Sequence, residues 1–179
     1  MNVFNNTFYC IIVANTLLID IMKLVIMRHG QAESFRKPDE TRALTSDGNT
    51  QAFTAGKWLA ENEKVSLPID LALVSPYVRA EQTYEQFNQQ VHISQKVICE
   101  DIVPDGNPSH THDYIRALIE ETPSLECILV VSHMPFVSYF LEDVLLDKKS
   151  MLFDTSSMAI VNYDPILGGG YLETVYHPS

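Results

Sequence analysis

Positive charge is scarce in this chain. Of 179 residues only 12 are Lys or Arg, against 23 Asp or Glu, and the formal net charge is −11. A chain this acidic lacks the basic surface that holds nucleic acid or an anionic membrane, so neither is expected as a partner. Cysteine is equally sparse. Cys10, Cys99 and Cys127 make an odd count of three with no C-x-x-C spacing, which argues against a disulfide framework and a zinc knuckle and fits a reducing, cytoplasmic setting. No internal repeat, low-complexity tract or long linker divides the sequence. What is abundant is ordinary: 46% hydrophobic and 20% charged residues, the balance of a globular domain large enough for its own core.

The N-terminus also lacks something. Residues 8–19 are mostly apolar, but no Lys or Arg precedes Lys23 and no small-x-small cleavage site follows, so a secretory signal is not indicated. Asn15 interrupts the run and Asp20 ends it, leaving it too short to span a bilayer. The preferred reading is an extension over 1–21, from an upstream start, with Met22 opening a domain over 22–179; a membrane-associated segment and a docked extra strand or helix are the alternatives.

From Met22 strands and helices alternate. Lys23–Met27, Asp70–Val74 and Cys127–Val131 are short apolar runs that predict buried strands. Thr45–Glu63 reads as a helix capped by Thr45, and Ser75-Pro76 as the cap and first residue of another. Lys96–Cys99 is a weaker strand, Pro108–Glu121 a helix, and Pro135 opens a further helix. Ser157–Tyr163 and Tyr171–Tyr176, flanking Gly168-Gly169-Gly170, read as a hairpin pair. This order predicts an α/β domain, a three-layer α/β/α sandwich on a mostly parallel sheet.

The chemistry sits just after the three best strands. Arg28-His29-Gly30 follows the first, Ser75-Pro76-Tyr77-Val78-Arg79 the second, and Ser132-His133-Met134-Pro135 the third. Ligands of open α/β sheets bind beyond the carboxyl ends of the strands, so two Arg and two His should converge there. Guanidiniums present paired donors to phosphate oxygens, helix N-termini add oriented N–H groups, and an imidazole can take a phosphoryl group covalently. With guanidiniums neutralising the oxygens, no metal or other cofactor is required.

Met27-Arg28-His29-Gly30, Ser75-Pro76-Tyr77-Val78-Arg79-Ala80-Glu81-Gln82-Thr83 and Ser132-His133-Met134-Pro135 resemble, in order, the three motifs of the histidine phosphatase superfamily, which has the phosphoglycerate mutase-like fold. Arg42-Ala43-Leu44-Thr45 and Phe153-Asp154-Thr155-Ser156-Ser157 are most similar to its small bacterial phosphohistidine phosphatases. The resemblance runs from Met22 to about Tyr176. It implies that His29 is the nucleophile and that Arg28, Arg79 and His133 hold the phosphoryl group, with Gln31 and Arg42 as further anion contacts. The implied partner is a phosphorylated histidine-containing phosphotransfer protein, dephosphorylated by a monomer. Arg28 and Arg79 should depress the His29 pKa.

A proton donor for an ester substrate is missing from the motifs. Glu100, Asp101 and Asp105 are the loop candidates. Phosphohistidine relaxes that demand, because its leaving imidazole has a pKa of about 6.5. Segments between the motifs are short, which leaves the pocket open to a protein-borne histidine. Two other functions remain open: a phosphatase of small phosphate esters, and a module that binds phosphoproteins without turnover. His110-Thr111-His112-Asp113 looks superficially like a metal-ligand run, but no matching ligands accompany it, and a solvated helix start is expected.

Overall fold

The computed structural model describes residues 21–34, 38–62 and 68–178. The extension expected over 1–21, apart from Ile21, therefore lies outside the described residues.

The apolar run after Ile21 forms the first strand, β1 (Met22–Arg28). Strands β2 (Ile69–Val74), β3 (Ile93–Ile98), β4 (Cys127–Ser132), β5 (Met158–Asp164) and β6 (Gly169–Tyr176) join it in a single sheet of order β3-β2-β4-β1-β5-β6. The β2–β3, β2–β4 and β1–β4 pairs are parallel, whereas β5 runs antiparallel to both β1 and β6. Only β5 is reversed, which makes the sheet mostly parallel.

Period-two alternation sends successive β1 side chains to opposite faces. Leu24 and Ile26 pack with Ile115, Ile119, Phe136 and Phe140, from helices α3 (Pro108–Glu121) and α4 (Phe136–Val144). Val25 and Met27 pack with Ala55, Leu59, Ala80 and Phe87, from α1 (Ser46–Glu61) and α2 (Val78–Phe87). The sheet is thus covered on both faces, the α/β/α sandwich expected. Each large apolar side chain so buried stabilises the fold by roughly 1.5–3 kcal/mol before entropy is counted.

Local chemistry sets several boundaries. Thr45 caps α1 by accepting the Gly48 N–H, and the Asn107 side chain accepts from Ser109 and His110 at the start of α3. Three expectations are corrected. Helix α2 begins at Val78 with Tyr77 as its cap residue, not at Pro76, because the Tyr77 backbone is still extended (φ −70°, ψ 134°). Strand β3 starts at Ile93, ahead of Lys96. Gly169 and Gly170 lie within β6 rather than in the turn, and Gly168 alone takes a left-handed φ of 63°.

No helix among the described residues is long and apolar enough to cross a membrane.

Candidate active site

Strands β1, β4 and β2 are neighbours, and their register brings their carboxyl ends level. Arg28 pairs with Ser132, and Val74 with Val131. The His29 N–H donates to the Ser132 carbonyl and the Ser75 N–H to the Val131 carbonyl, so the ladder runs into the site. The chain before β5 closes it from the other side. Ser156, at φ 61°, donates its N–H to the carbonyls of both Arg28 and His29. The sheet thereby fixes the backbone that carries both histidines.

His29 is 7% exposed. Its Nδ1 lies 2.7 Å from its neighbour's carbonyl, Gly30 O, which can only accept, so Nδ1 carries the proton. Nε2 then holds a lone pair, and it accepts from Arg79 Nε at 3.1 Å. Burial depresses the His29 pKa to about 3, with Arg79, Arg28 and Arg42 adding to the shift against the Gly30 hydrogen bond. The two arginines singled out in the sequence do contribute, but desolvation outweighs them.

His133 is fully buried, its ring 4.9 Å from those of both His29 and Tyr77. Its Nε2 lies 2.7 Å from Ser75 Oγ. Burial is again the main cause of a pKa near 2, followed by His29, Arg79 and Arg28. Tyr77, half-buried, also stacks against the Arg79 guanidinium at 4.9 Å. Burial raises its phenol pKa, with Asp105, Asp39 and Glu40 adding to the rise against Arg79.

Arg79 is 3% exposed and sits in the first turn of α2. The residues that follow it in the second motif are clamps. Thr83 Oγ1 accepts the Gly30 N–H at 3.0 Å, and Gln82 Oε1 accepts the Leu44 N–H at 2.7 Å. Arg28 donates from Nη1 to the Phe153 carbonyl at 2.6 Å; burial lowers its pKa, Arg79 adds to this and Asp154 opposes it. Gly30 has a packing role: a Cβ there would stand 2.5 Å from the Gly48 carbonyl, at the start of α1.

The structure therefore brings Arg28, His29, Arg79 and His133 together. Arg42 joins them through Asp39, which accepts from Arg42 Nη1 at 2.7 Å and from Arg79 Nη2 at 2.8 Å. The Gln31 N–H goes to Gln51 and its side chain accepts from Thr45, tying the loop to α1. Glu100 and Asp101 lie exposed on a 3-10 turn (Glu100–Ile102). Asp39 was not singled out in the sequence. Its signal is the Pro38-Asp39-Glu40-Thr41-Arg42 string, in which a 3-10 turn sets an acid three residues before a base.

Among the described residues, three buried side-chain N or O atoms have no hydrogen-bond partner: Arg28 Nε, His133 Nδ1 and Ser156 Oγ. Arg28 and His133 belong to this site, and Ser156 is bonded to its backbone through the Arg28 and His29 carbonyls.

His110 and His112 part company. His110 is exposed, but His112 is buried, which corrects the expectation of a solvated helix start. Its Nδ1 lies 2.8 Å from Asp143 Oδ2 and its Nε2 2.8 Å from the Tyr163 hydroxyl. Among the described residues no group of three or more His, Cys, Asp or Glu is arranged to hold a metal ion.

Residues 24–101 match the family model of the histidine phosphatase superfamily (branch 1). The chain is 34% identical over 148 residues to the phosphohistidine phosphatase SixA homolog of Haemophilus influenzae, covering 80% of this chain and 89% of that one. It is 33% identical over 144 residues to phosphohistidine phosphatase SixA of Escherichia coli, covering 80% and 86%. The structure superposes on that of the protein histidine phosphatase SixA complexed with tungstate with a TM-score of 0.80 at 31% identity, covering 88% of this chain and 97% of that chain.

Proposed function

The chain belongs to the histidine phosphatase superfamily, and from that premise we propose that it is a protein phosphohistidine phosphatase working through a phospho-His29 intermediate. The observation that carries this reading is the set of orphaned polar atoms. Leaving a buried polar atom unpaired costs about 1–3 kcal/mol, and three of them in and beside one cationic site call for a ligand rich in acceptors. A phosphoryl group supplies such oxygens. Tungstate, which the superposed SixA holds, is likewise a tetrahedral oxyanion.

The chemistry follows from the tautomers. His29 Nε2, bearing the lone pair, attacks phosphorus as the P–N bond to the substrate imidazole breaks. That imidazole leaves neutral when its other ring nitrogen carries a proton, so no strong general acid is needed. Arg28 and Arg79 balance charge on the phosphoryl oxygens. Ser75 Oγ accepts the Tyr77 N–H and lies 2.7 Å from His133 Nε2; with the hydroxyl proton given to Nε2, the His133 Nδ1–H serves as a donor to a phosphoryl oxygen. Water then attacks phosphorus, the P–Nε2 bond breaks, orthophosphate departs, and His29 returns to its neutral Nδ1–H form.

The substrate is a phosphohistidine protein, and we assign it to the class of histidine-containing phosphotransfer proteins, bound by a monomer over 22–179 in the cytoplasm. Phosphate release from such a phosphoprotein, with a small phosphate ester alongside, tests the reading. Wild type should clear the phosphohistidine and His29→Ala should lose about four orders of magnitude in rate. Ester turnover with the phosphoprotein untouched would overturn the substrate assignment.

A further inference from the structure

Arg79 is read above as a phosphoryl donor, yet all three of its guanidinium nitrogens are already occupied. Its Nη2 donates to Asp39 Oδ2 at 2.8 Å, its Nη1 donates to the Asp39 carbonyl, and its Nε–H caps the His29 lone pair at 3.1 Å. Asp39 presents the same kind of oxygen that a phosphoryl group would. Its other carboxylate oxygen accepts from Arg42, giving a continuous chain Arg42–Asp39–Arg79–His29. Exposure decides which partner yields. The Arg79 side chain is 3% exposed and the Asp39 side chain 38%, so the carboxylate can turn to water while the guanidinium stays in place.

We propose that Asp39 is a built-in competitor for the phosphoryl group, an anion that satisfies Arg79 until the substrate displaces it. This deepens the reading of the rim as a phosphoryl site and rests on it. An anion that takes Arg79 Nη2 as a donor must displace the carboxylate, so its apparent affinity falls by the fraction of molecules in which that donor is released. Orthophosphate and small esters bear the full penalty. A phosphoprotein offsets it with contacts made outside the pocket. Asp39 thereby selects for protein-borne phosphoryl groups and keeps the product from lingering.

Phosphorus NMR titration with inorganic phosphate tests this without turnover. Asp39→Asn and Asp39→Ala should each bind phosphate about tenfold more tightly than wild type, because a competing charge-assisted pair is removed. Asp39→Glu keeps the charge and should stay within about twofold. Glu40→Gln, the same charge change on an exposed neighbour, should also stay within about twofold. Weaker or unchanged binding in both Asp39→Asn and Asp39→Ala overturns the proposal, since Asp39 would then only orient Arg79. Equal tightening in Glu40→Gln overturns it too, by reducing the effect to bulk charge. If the Asp39 variants tighten but no variant dephosphorylates phosphohistidine, the competitor stands and the substrate assignment falls.

Discussion

Two histidine clusters lie buried in this molecule, and they are built on opposite logic. His112, between α3, α4 and β5, has both ring nitrogens spoken for, one by Asp143 and the other by Tyr163. Both ring nitrogens therefore have a partner, and neither is left over for a ligand. His29 and His133 lie among Arg28, Arg79 and Arg42, three of the five arginines in a chain of net charge −11. There the protein leaves three buried polar atoms unpaired. Burial is common to both clusters. Incomplete satisfaction, together with concentrated positive charge, separates the one that can do chemistry from the one that holds helices to the sheet.

The comparison breaks most sharply at Arg79. Arg79→Gln removes the donors aimed at His29 and the phosphoryl group, and kcat/KM for phosphohistidine should fall by about a hundred- to a thousandfold, while thermal unfolding shows the chain still folded. A fall of less than tenfold would move the main phosphoryl contact elsewhere.

Acid comes next. The folded protein holds His29 and His133 at pKa values of about 3 and about 2, both far below the 6.5 of an unfolded histidine. Below pH 6.5 the unfolded chain therefore takes up protons that the folded one refuses. Stability conferred at neutral pH should be lost progressively as the pH falls toward about 3. Calorimetric melting from pH 7 to pH 4 should show this, and the doubly substituted His29→Asn, His133→Asn protein should lose less over the same range. Parallel curves would mean that the two imidazoles are not held neutral.

The smallest effect is the converse one. His112→Phe strands the Asp143 carboxylate and the Tyr163 hydroxyl, and should cost about 2–3 kcal/mol in urea unfolding. Turnover should stay within about twofold. A large loss of activity at unchanged stability would merge the two clusters that the geometry keeps apart.

The difference between the clusters also explains what could be read from the sequence. His29, Arg79 and His133 were legible because each follows an apolar run whose strand character is local, and strand ends in parallel sheets converge. His112 was not, because its partners lie 31 and 51 residues away and neither Asp143 nor Tyr163 stands in a recognisable string. Asp39 was hidden for a related reason: its acid–base spacing is visible locally, but its contact with Arg79 spans 40 residues. The start of α2 was misplaced for the opposite reason. Ser75-Pro76 has the local form of a helix cap, and the extended backbone of Tyr77 delays the first turn to Val78.

The 4.9 Å between the His29 and His133 rings is close to the spacing of neighbouring strands, 4.7–4.9 Å. Each imidazole stands one residue past the end of its strand, in register across β1 and β4. The sheet therefore works as a ruler, with the interval between the two rings graduated by backbone hydrogen bonds. Insertions in the connecting loops, or gentle warming that loosens them, leave that interval standing while β1 and β4 stay paired. The guanidiniums have no such ruler: Arg79 depends on the seating of α2. Tuning this enzyme, by selection or by design, should therefore act on its arginines and their carboxylate partner, with the imidazole pair as the fixed gauge.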